Sequence, residues 1–388
     1  MSNAWRDRIG RLLSRETASG RFIPEIDGLR FVAISSVVLF HTYVFVVKKL
    51  GLDAGHDMLA RLMSKGGFGV QLFFAISGFI ISLPFAQAYR GAQPLPRLGA
   101  YYRRRLTRLE PPYIVNLLLI SALLSLFGKL PLAELLPRLF CSLTYTHNLV
   151  YGEASAINGV AWSLEVECQF YLIAPLLAKV FAVPSVRQRR LLLTAGIALS
   201  TCAAQYVLPH TPRWNLSLPA HLDYFLCGFL LADLYLLELT PEIRRSHAWD
   251  IIGLLCWLIL LALFFGPKGL SVLLPVPLSL AYYAVFRGQW SGRLFGNRSI
   301  YTIGGMCYSI YLYHTYVISM GGGAFVHLPG LAQLPVWLTL GLASLLLLPL
   351  ILLACAALFV VTEKPFMRRD WPGLLQSRWA AFTLRRPA

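Results

Sequence analysis

Long apolar stretches alternate with short polar or basic segments along most of the chain. Each stretch is close to the length, about 17–25 residues, that an α-helix needs to cross the hydrocarbon core of a bilayer. The pattern predicts an all-α polytopic membrane protein with about ten spanning helices, at 30–48, 68–88, 109–127, 160–181, 191–208, 219–237, 249–266, 269–286, 300–320 and 333–361. A shorter apolar stretch, 137–151, is typical of a re-entrant or interfacial segment.

Composition supports a membrane domain and excludes an ordinary soluble enzyme. Of the 388 residues, 57% are hydrophobic and 14% are charged, whereas soluble domains average about 45–50% and about 25%. The seven cysteines form no CxxC pair and mostly lie inside apolar stretches. They therefore predict neither a metal site nor a disulfide framework.

The net charge of +17 would suggest nucleic acid in a soluble protein, but here the charge lies in loops between spans. Ten spans put 25 Lys and Arg on one side of the membrane and eight on the other. The positive-inside rule then places both termini in the cytoplasm, and the basic loops are expected to meet membrane lipids rather than nucleic acid. Three regions follow: a cytoplasmic segment 1–29, a transmembrane domain 30–366 and a short cytoplasmic tail 367–388.

Four ionisable residues inside predicted spans are functional candidates, because a charge at the bilayer centre costs about 2.5–3.5 kcal/mol on insertion scales. Arg30 and His41 are eleven residues apart on the first span, which is about three helical turns, so they share a face. Glu167 and His314 fall near the depth of His41 when about 1.5 Å is counted per residue. Each histidine alone is more often a packing residue, but the convergence favours one buried polar site.

Other carboxylates in the spans are less informative. Glu165 lies two residues from Glu167, so the two side chains face nearly opposite ways on a helix. Asp223 and Asp233 are near the ends of the sixth span, where they can reach the membrane interface, and we expect a mostly structural role for both.

An arginine cluster lies where the third span meets the cytoplasm, at Arg103, Arg104, Arg105 and Arg108. Positive-inside anchoring explains such a cluster, but the absence of lysine favours bidentate phosphate binding, which suits arginine better. Ser77 lies in a glycine-rich stretch, 67–79, whose small residues allow close helix packing. It is a weaker candidate for lining a site, since a serine more often bonds within its own helix.

Six motifs, taken in order, resemble those of the membrane acyltransferase-3 family. They are Ile26–Arg30 followed after ten residues by His41, the stretch ending in Phe73–Phe79, the arginine cluster with Pro111 and Tyr113, Trp162–Tyr171, Tyr308–His314 and Glu363–Phe366. Each motif is weak alone, but their shared order makes the resemblance specific over about residues 25–366. Members of this family O-acylate sugars of cell-envelope polysaccharides and some small natural products.

The resemblance implies a role for individual residues of a transmembrane acyltransferase domain, 30–366. Arg30 and His41 match the family's essential Arg–His pair, and Glu167 matches the glutamate of its Trp-Ser-Leu motif, which makes these three the catalytic candidates. The donor would be bound by Arg30, Arg103, Arg104, Arg105 and Arg108. The other candidates for contacting substrate are Ser77, Trp162, Tyr171, Tyr311 and His314.

The implied reaction moves an acyl group, expected to be acetyl, from cytoplasmic acetyl-CoA or another acyl-CoA to a hydroxyl of a cell-envelope glycan or glycolipid, without a metal. The implied location is the cytoplasmic membrane of a bacterium. A sugar hydroxyl needs a general base, and His41 fits because histidine titrates near neutral pH. We expect His41 within about 4–6 Å of Glu167, or joined to it by one water; whether His41 takes a proton only or a transient acyl group stays open.

A second functional class is a transporter or flippase for a lipid-linked sugar, in which the buried histidines and Glu167 would relay protons. The sequence shows no inverted repeat of the kind that builds many transporters, and the arginine cluster would have no obvious cargo. Release of CoA from acyl-CoA by the purified protein separates the two classes.

Overall fold

The computed structural model describes residues 12–14, 22–239 and 244–367, without the side chains of Arg108 and Lys268. No β-strand occurs within these ranges, so the all-α prediction is confirmed for them. The helices are α1 (Pro24–Leu50), α2 (Met58–Ser64), α3 (Gly69–Tyr89), α4 (Leu98–Leu126), α5 (Leu132–Leu143), α6 (His147–Tyr151), α7 (Trp162–Leu177), α8 (Val186–Cys202), α9 (Pro212–Asn215), α10 (Leu222–Glu238), α11 (His247–Phe265), α12 (Pro275–Arg287), α13 (Gln289–Phe295), α14 (Arg298–Gly305), α15 (Cys307–Val326), α16 (Val336–Leu358) and α17 (Lys364–Met367).

Six helical runs in the described residues are long and apolar enough to cross a membrane, which makes this a multi-pass membrane protein. They are Pro24–Leu50, Met58–Tyr89, Leu98–Leu126, Val186–Val207, His247–Phe265 and Val336–Met367. Each overlaps one of the ten predicted spans. The count of ten is not confirmed, and the cytoplasmic location of the termini stays a prediction, because 1–11, 15–21 and 368–388 lie outside the described residues.

The other four predicted spans correspond to shorter or interrupted helices. α7 has 16 residues, α10 has 17 and α12 has 13; at about 1.5 Å per residue α12 reaches only about 20 Å, short of a core of about 30 Å. α12 begins late because Pro275 occupies its first turn, where a missing N–H is tolerated. The ninth predicted span is broken at Met306, between α14 and α15.

Two hydrophobic clusters form the interior of the described molecule. One is built mainly from α3, α7, α10 and α12, and the other mainly from α1, α4, α15 and α16. Phe73 and Leu109 pack against both clusters. Both residues also line a cavity with polar side chains in its wall. This cavity therefore lies at the boundary between the two clusters.

Glycines bring the helices around this boundary close together. A Cβ atom at Gly78 of α3 would overlap the backbone carbonyl of Phe225 in α10, and one at Gly228 would overlap that of Ala75. Gly304 of α14 approaches the carbonyl of Asp27 in α1 in the same way. Small residues at such crossings let two backbones meet, which confirms helix packing as a role of the glycine-rich stretch of α3.

Candidate active site

A cavity of about 120 Å³ lies at the boundary between the two clusters, among α1, α3, α4, α7 and α15. We call it the arginine cavity. Six of the predicted site residues line it: Arg30, Ser77, Arg105, Glu167, Tyr171 and Tyr311. Residues from five separate parts of the sequence thus meet at one cavity; of the three residues expected at one depth, Glu167 lines it, whereas His41 and His314 do not.

Glu167 is held in the wall of this cavity by two hydroxyl groups. Ser77 donates a hydrogen bond from Oγ to Oε1 of Glu167 at 2.6 Å, and the hydroxyl of Tyr171 donates to the same oxygen at 2.5 Å. Tyr171 lies one helical turn beyond Glu167 on α7, whereas Ser77 reaches it from α3. Ser77, a weak candidate from sequence, therefore contacts Glu167 directly in the lining of the cavity.

Two arginines contribute positive charge to the cavity. The guanidinium carbon of Arg105 lies 5.7 Å from the ring centroids of both Tyr101 and Tyr171, a cation–π geometry. Arg30 pairs with Asp27 at 2.5 Å, and its side chain is 12% exposed. Arg30 therefore lines a buried site rather than serving only as an anchor at the membrane surface.

The remaining arginines of the cluster are placed differently. Arg103 and Arg104 are exposed on α4 and do not line the cavity. The side chain of Arg108 lies outside the described part of the chain. Only Arg105 of the cluster is thus shown at the cavity, and Arg103 and Arg104 extend the basic surface outside it.

His41 and His314 form a hydrogen-bonded pair. His41 Nδ1 lies 2.9 Å from the carbonyl oxygen of Val37 and 3.2 Å from His314 Nε2, and the two ring centroids are 4.9 Å apart. His314 Nδ1 lies 2.8 Å and 2.9 Å from the carbonyl oxygens of Ile310 and Tyr311. Carbonyl oxygens only accept hydrogen bonds, so Nδ1 carries the proton in both neutral rings.

This assignment leaves the Nε2 lone pair of His41 without a hydrogen-bond partner among the described residues. The Nδ1–H of His41 is shared between Val37 and the Nε2 lone pair of His314. His41 is half-buried, whereas His314 is fully buried. A base needs an available lone pair, and of the two histidines only His41 is not fully buried.

The structure assigns partners to His41 and Glu167 that sequence reasoning did not predict. Within the described residues no hydrogen bond joins His41 to Glu167. His41 bonds to His314 instead, and Glu167 bonds to Ser77 and Tyr171. The tautomer of His41 is fixed by Val37 rather than by a carboxylate. The expected separation of about 4–6 Å between His41 and Glu167 stays a prediction.

α15 connects the arginine cavity to the histidine pair. Tyr311 lines the cavity, and its hydroxyl donates to the carbonyl of Val160 at 2.5 Å and lies 3.1 Å from Oγ of Ser163. Its own carbonyl meets His314, one turn further along the same helix. His41 and His314 do not line the cavity but lie directly beyond its Tyr311 wall.

Three functional candidates were missed or left without a role by sequence reasoning. Asn158 donates to Asn116 at 2.8 Å, and both buried amides reach the carbonyl of Leu312 in α15. Glu363 lines the cavity and accepts hydrogen bonds from the backbone N–H and hydroxyl of Ser309. The available signal was the amide of Asn116 inside the predicted span 109–127; Asn158 and Glu363 lie just outside the predicted spans 160–181 and 333–361.

The other ionisable candidates lie away from the cavity. Asp233 pairs with Arg189 at 2.5 Å and with Arg190 at 2.9 Å, which is the arrangement expected of a structural residue. Oε2 of Glu165 accepts the backbone N–H of Asn148 at 2.8 Å. The Trp162 ring packs 6.3 Å from Phe74 and 5.5 Å from His221, so it lies behind the cavity wall rather than in it.

Fold and site together define a multi-pass helical membrane protein with a buried, arginine-lined cavity. The chain belongs to the acyltransferase-3 family, whose model, described as an acyltransferase domain, matches residues 23–359. The O-acetyltransferase OatA of Staphylococcus aureus strain NCTC 8325 is 24% identical over 345 residues, which cover 82% of this chain and 54% of the relative. A protein of S. aureus strain COL with a provisional O-acetyltransferase name is 25% identical over 346 residues, covering 82% and 53%.

The chain thus spans about half the length of the curated relatives it matches. No solved structure matches the chain.

Proposed function

We propose that this protein is an O-acyltransferase of a bacterial cytoplasmic membrane that moves an acetyl group from cytoplasmic acetyl-CoA to a hydroxyl of a cell-envelope glycan or glycolipid. The observation that carries the proposal is the arginine cavity, which leads from two arginines to the helical turn that holds the His41–His314 pair. Family membership supports acyl transfer, and the names of the relatives support acetyl as the group and oxygen as the acceptor atom.

The arginine side of the cavity fits the donor. Acyl-CoA carries several phosphate groups, and guanidinium groups bind phosphate by paired hydrogen bonds. Arg30 and Arg105 line the cavity, while Arg103 and Arg104 are exposed on the same helix as Arg105. The phosphates would bind along this basic surface, and the thin pantetheine arm would enter the cavity toward Tyr311.

The histidine pair fits the chemistry of transfer. Nε2 of His41 takes the proton of the acceptor hydroxyl while the hydroxyl oxygen attacks the thioester carbonyl. The carbon–sulfur bond then breaks, and the CoA thiolate leaves with the proton returned from His41. During the step the positive charge on His41 is stabilised through Nδ1–H by the Val37 carbonyl and by the Nε2 lone pair of His314.

Glu167 has a positioning role in this scheme. It holds the hydroxyls of Ser77 and Tyr171 along the cavity wall and places a negative charge near Arg105, whose guanidinium packs on the Tyr171 ring. Its charge would keep the two cavity arginines ordered before the donor binds. Glu167 would then affect donor binding more than proton transfer.

The test uses the full chain in lipid nanodiscs with acetyl-CoA and envelope glycan as acceptor. We expect acceptor-stimulated release of CoA thiol together with acetyl ester on the glycan, and loss of both in His41→Ala. His327→Ala is the matched control, because His327 is exposed and lies outside the site. Movement of a lipid-linked sugar without any CoA release would contradict the proposal and favour the transporter class.

A further inference from the structure

Two buried asparagines join three parts of the chain at one carbonyl group of α15. Asn158 lies shortly before α7 and is 1% exposed, and Asn116 lies in α4 and is fully buried. Nδ2 of Asn158 donates to Oδ1 of Asn116 at 2.8 Å and to the carbonyl of Leu312 at 3.3 Å. Nδ2 of Asn116 donates to the same carbonyl at 3.2 Å. The proposed mechanism uses neither asparagine.

The hydrogen bonds fix the orientation of both amides. The Leu312 carbonyl only accepts hydrogen bonds, so the amide nitrogen of each asparagine must face it. Oδ1 of Asn158 then accepts the backbone N–H of Val160 at 3.3 Å. A buried amide costs free energy unless it is hydrogen-bonded, and a bonded polar network holds its members in one arrangement. The two amides therefore fix Leu312 relative to α4 and to the start of α7.

Two tyrosines of α15 are bonded to the same short segment, 157–160, which we call the anchoring segment. The hydroxyl of Tyr316 donates to its first carbonyl at 2.6 Å, and that of Tyr311 donates to its last carbonyl at 2.5 Å. Leu312 and His314 both lie between these tyrosines on α15. The helical turn that carries His314 is thus held by side-chain hydrogen bonds before it and after it.

The hydrogen bond between the two histidines depends on the rotation of α15 about its own axis. Nε2 of His314 lies 3.2 Å from Nδ1 of His41. A helix with its side chains has a radius of about 5–6 Å, so a rotation of about 20° moves an atom at its surface by about 2 Å. A displacement of that size would break the bond, because hydrogen bonds weaken steeply with distance. Bonds from the anchoring segment to the same turn resist such a rotation.

We propose that Asn158 is a positioning residue for the histidine pair and that it acts through the Leu312 carbonyl, with Asn116 as its partner. It keeps α15 at the rotation in which His314 meets His41. The effect of Asn158 on catalysis rests on the proposed function, because that function makes His41 the base. The placement of the two rings does not depend on it.

The experiment observes the histidine pair directly. The full chain, labelled with ¹⁵N in its histidines, is placed in lipid nanodiscs, and solid-state NMR records the nitrogen–nitrogen correlation across the hydrogen bond between His41 and His314. In the described part of the chain no other two histidine side chains are bonded to each other, so the correlation reports this pair. We expect its loss in Asn158→Ala and its weakening in Asn116→Ala.

The Asn116→Ala variant separates two ways in which Asn158 could act. The Asn116 side chain is bonded to Leu312 and Asn158 but not to Val160. A weaker correlation in this variant therefore reports the bond to Leu312 rather than the bond at the start of α7. The variant also tests the inference if Asn158→Ala fails to fold.

Asn148→Ala is the matched control, since Asn148 is also a fully buried amide, but it donates to the carbonyls of Trp162 and Leu216 rather than to α15. This variant should keep the correlation. In an assay of CoA release, Asn158→Ala should lower kcat and leave KM for acetyl-CoA unchanged, whereas Asn148→Ala should keep both values.

Two results would overturn the inference: a correlation unchanged in both Asn158→Ala and Asn116→Ala, or a correlation lost equally in Asn148→Ala, which would indicate general loosening of the packing. Loss of the correlation in Asn158→Ala with an unchanged kcat would instead leave the inference standing and count against the proposed function, because His41 would then not be the base.

Discussion

At the scale of single residues, the proposed mechanism makes His314 the partner that would stabilise positive charge on His41, because Nε2 of His314 lies 3.2 Å from Nδ1 of His41. We expect His41→Ala to lower kcat by about 10²–10⁴-fold and His314→Ala to lower it less, because the Val37 carbonyl still fixes the tautomer. His314→Gln supplies an amide oxygen and should restore part of the rate. Equal loss in the alanine and glutamine variants, with KM for acetyl-CoA raised, would contradict this role and indicate a packing defect.

Glu167 allows a second prediction at the same scale. In Glu167→Gln the amide oxygen still accepts from Ser77 and Tyr171, but the negative charge near Arg105 is lost. We expect a raised KM for acetyl-CoA and a smaller fall in kcat than in His41→Ala, measured by steady-state CoA release. Glu165→Gln, which changes a buried carboxylate outside the cavity, should keep both values; a kcat loss in Glu167→Gln equal to that in His41→Ala would show a role in proton transfer.

Six residues that the sequence singled out as site candidates line the arginine cavity, but the sequence did not predict how the site residues are paired. Ionisable residues inside apolar stretches, counted at about 1.5 Å per residue, give their depth in the membrane. Depth does not give the rotation of a helix about its axis, and the choice of His314 rather than Glu167 as the partner of His41 depends on that rotation. Val37 could not be found from sequence at all, because it acts through a backbone carbonyl.

At the scale of helices, the crossing of α3 and α10 depends on two glycines. A Cβ at Gly78 or Gly228 would overlap the backbone of the facing helix, which cannot move aside as a side chain would. We expect Gly78→Ala and Gly228→Ala to lower the thermal unfolding temperature and to disturb the arginine cavity, which is lined by Phe74 and Ser77 of α3. In Gly341→Ala of α16 the new methyl group meets no atom within 4 Å, so this control should unfold at the same or a slightly higher temperature.

Helix positions followed from the apolar pattern, whereas the number of crossings did not. Hydropathy identifies an apolar stretch but does not show where the helix within it is interrupted. Such interruptions occur at Met306, between α14 and α15, and before Pro275, where α12 begins. Short helices such as α7 are apolar because they are buried among other helices, and burial in protein selects the same residues as burial in lipid. The segment from 160 to 181 therefore resembled a span although α7 has only 16 residues.

At the scale of the whole molecule, the basic surface leading into the arginine cavity predicts salt-sensitive donor binding. Arg105 lies at the cavity and is half-buried, whereas Arg103 and Arg104 are exposed. Arg105→Ala should therefore weaken acetyl-CoA binding more than Arg104→Ala, and binding to the unaltered protein should weaken as salt rises. Calorimetry in nanodiscs measures the affinity of each variant and its dependence on salt. Affinities unchanged from the unaltered protein in both variants would show that the cluster serves only to anchor the protein in the membrane.

Residues that the charge pattern predicts on one side of the membrane lie at one end of the described molecule. α1 and α15 run parallel, since Gly322 lies against Phe45 just as His314 lies against His41. The residues that follow these helices, Gly55 and Leu328, thus share one end. At the other end, ion pairs join Arg190 to Glu238 at 2.6 Å and Arg245 to Glu25 at 2.8 Å.

Cysteine labelling tests whether these ends lie on opposite sides of the membrane. We expect an impermeant thiol reagent, added to intact cells, to label Gly55→Cys and Leu328→Cys but not Arg187→Cys, because only the first two lie at the end predicted to face outward. Arg187 is exposed, whereas the neighbouring Arg189 is 5% exposed and would stay unlabelled on either side. Cys202 is an exposed native cysteine and is replaced by serine beforehand. Labelling of Arg187→Cys from outside would reverse the predicted orientation and with it the cytoplasmic source of the donor.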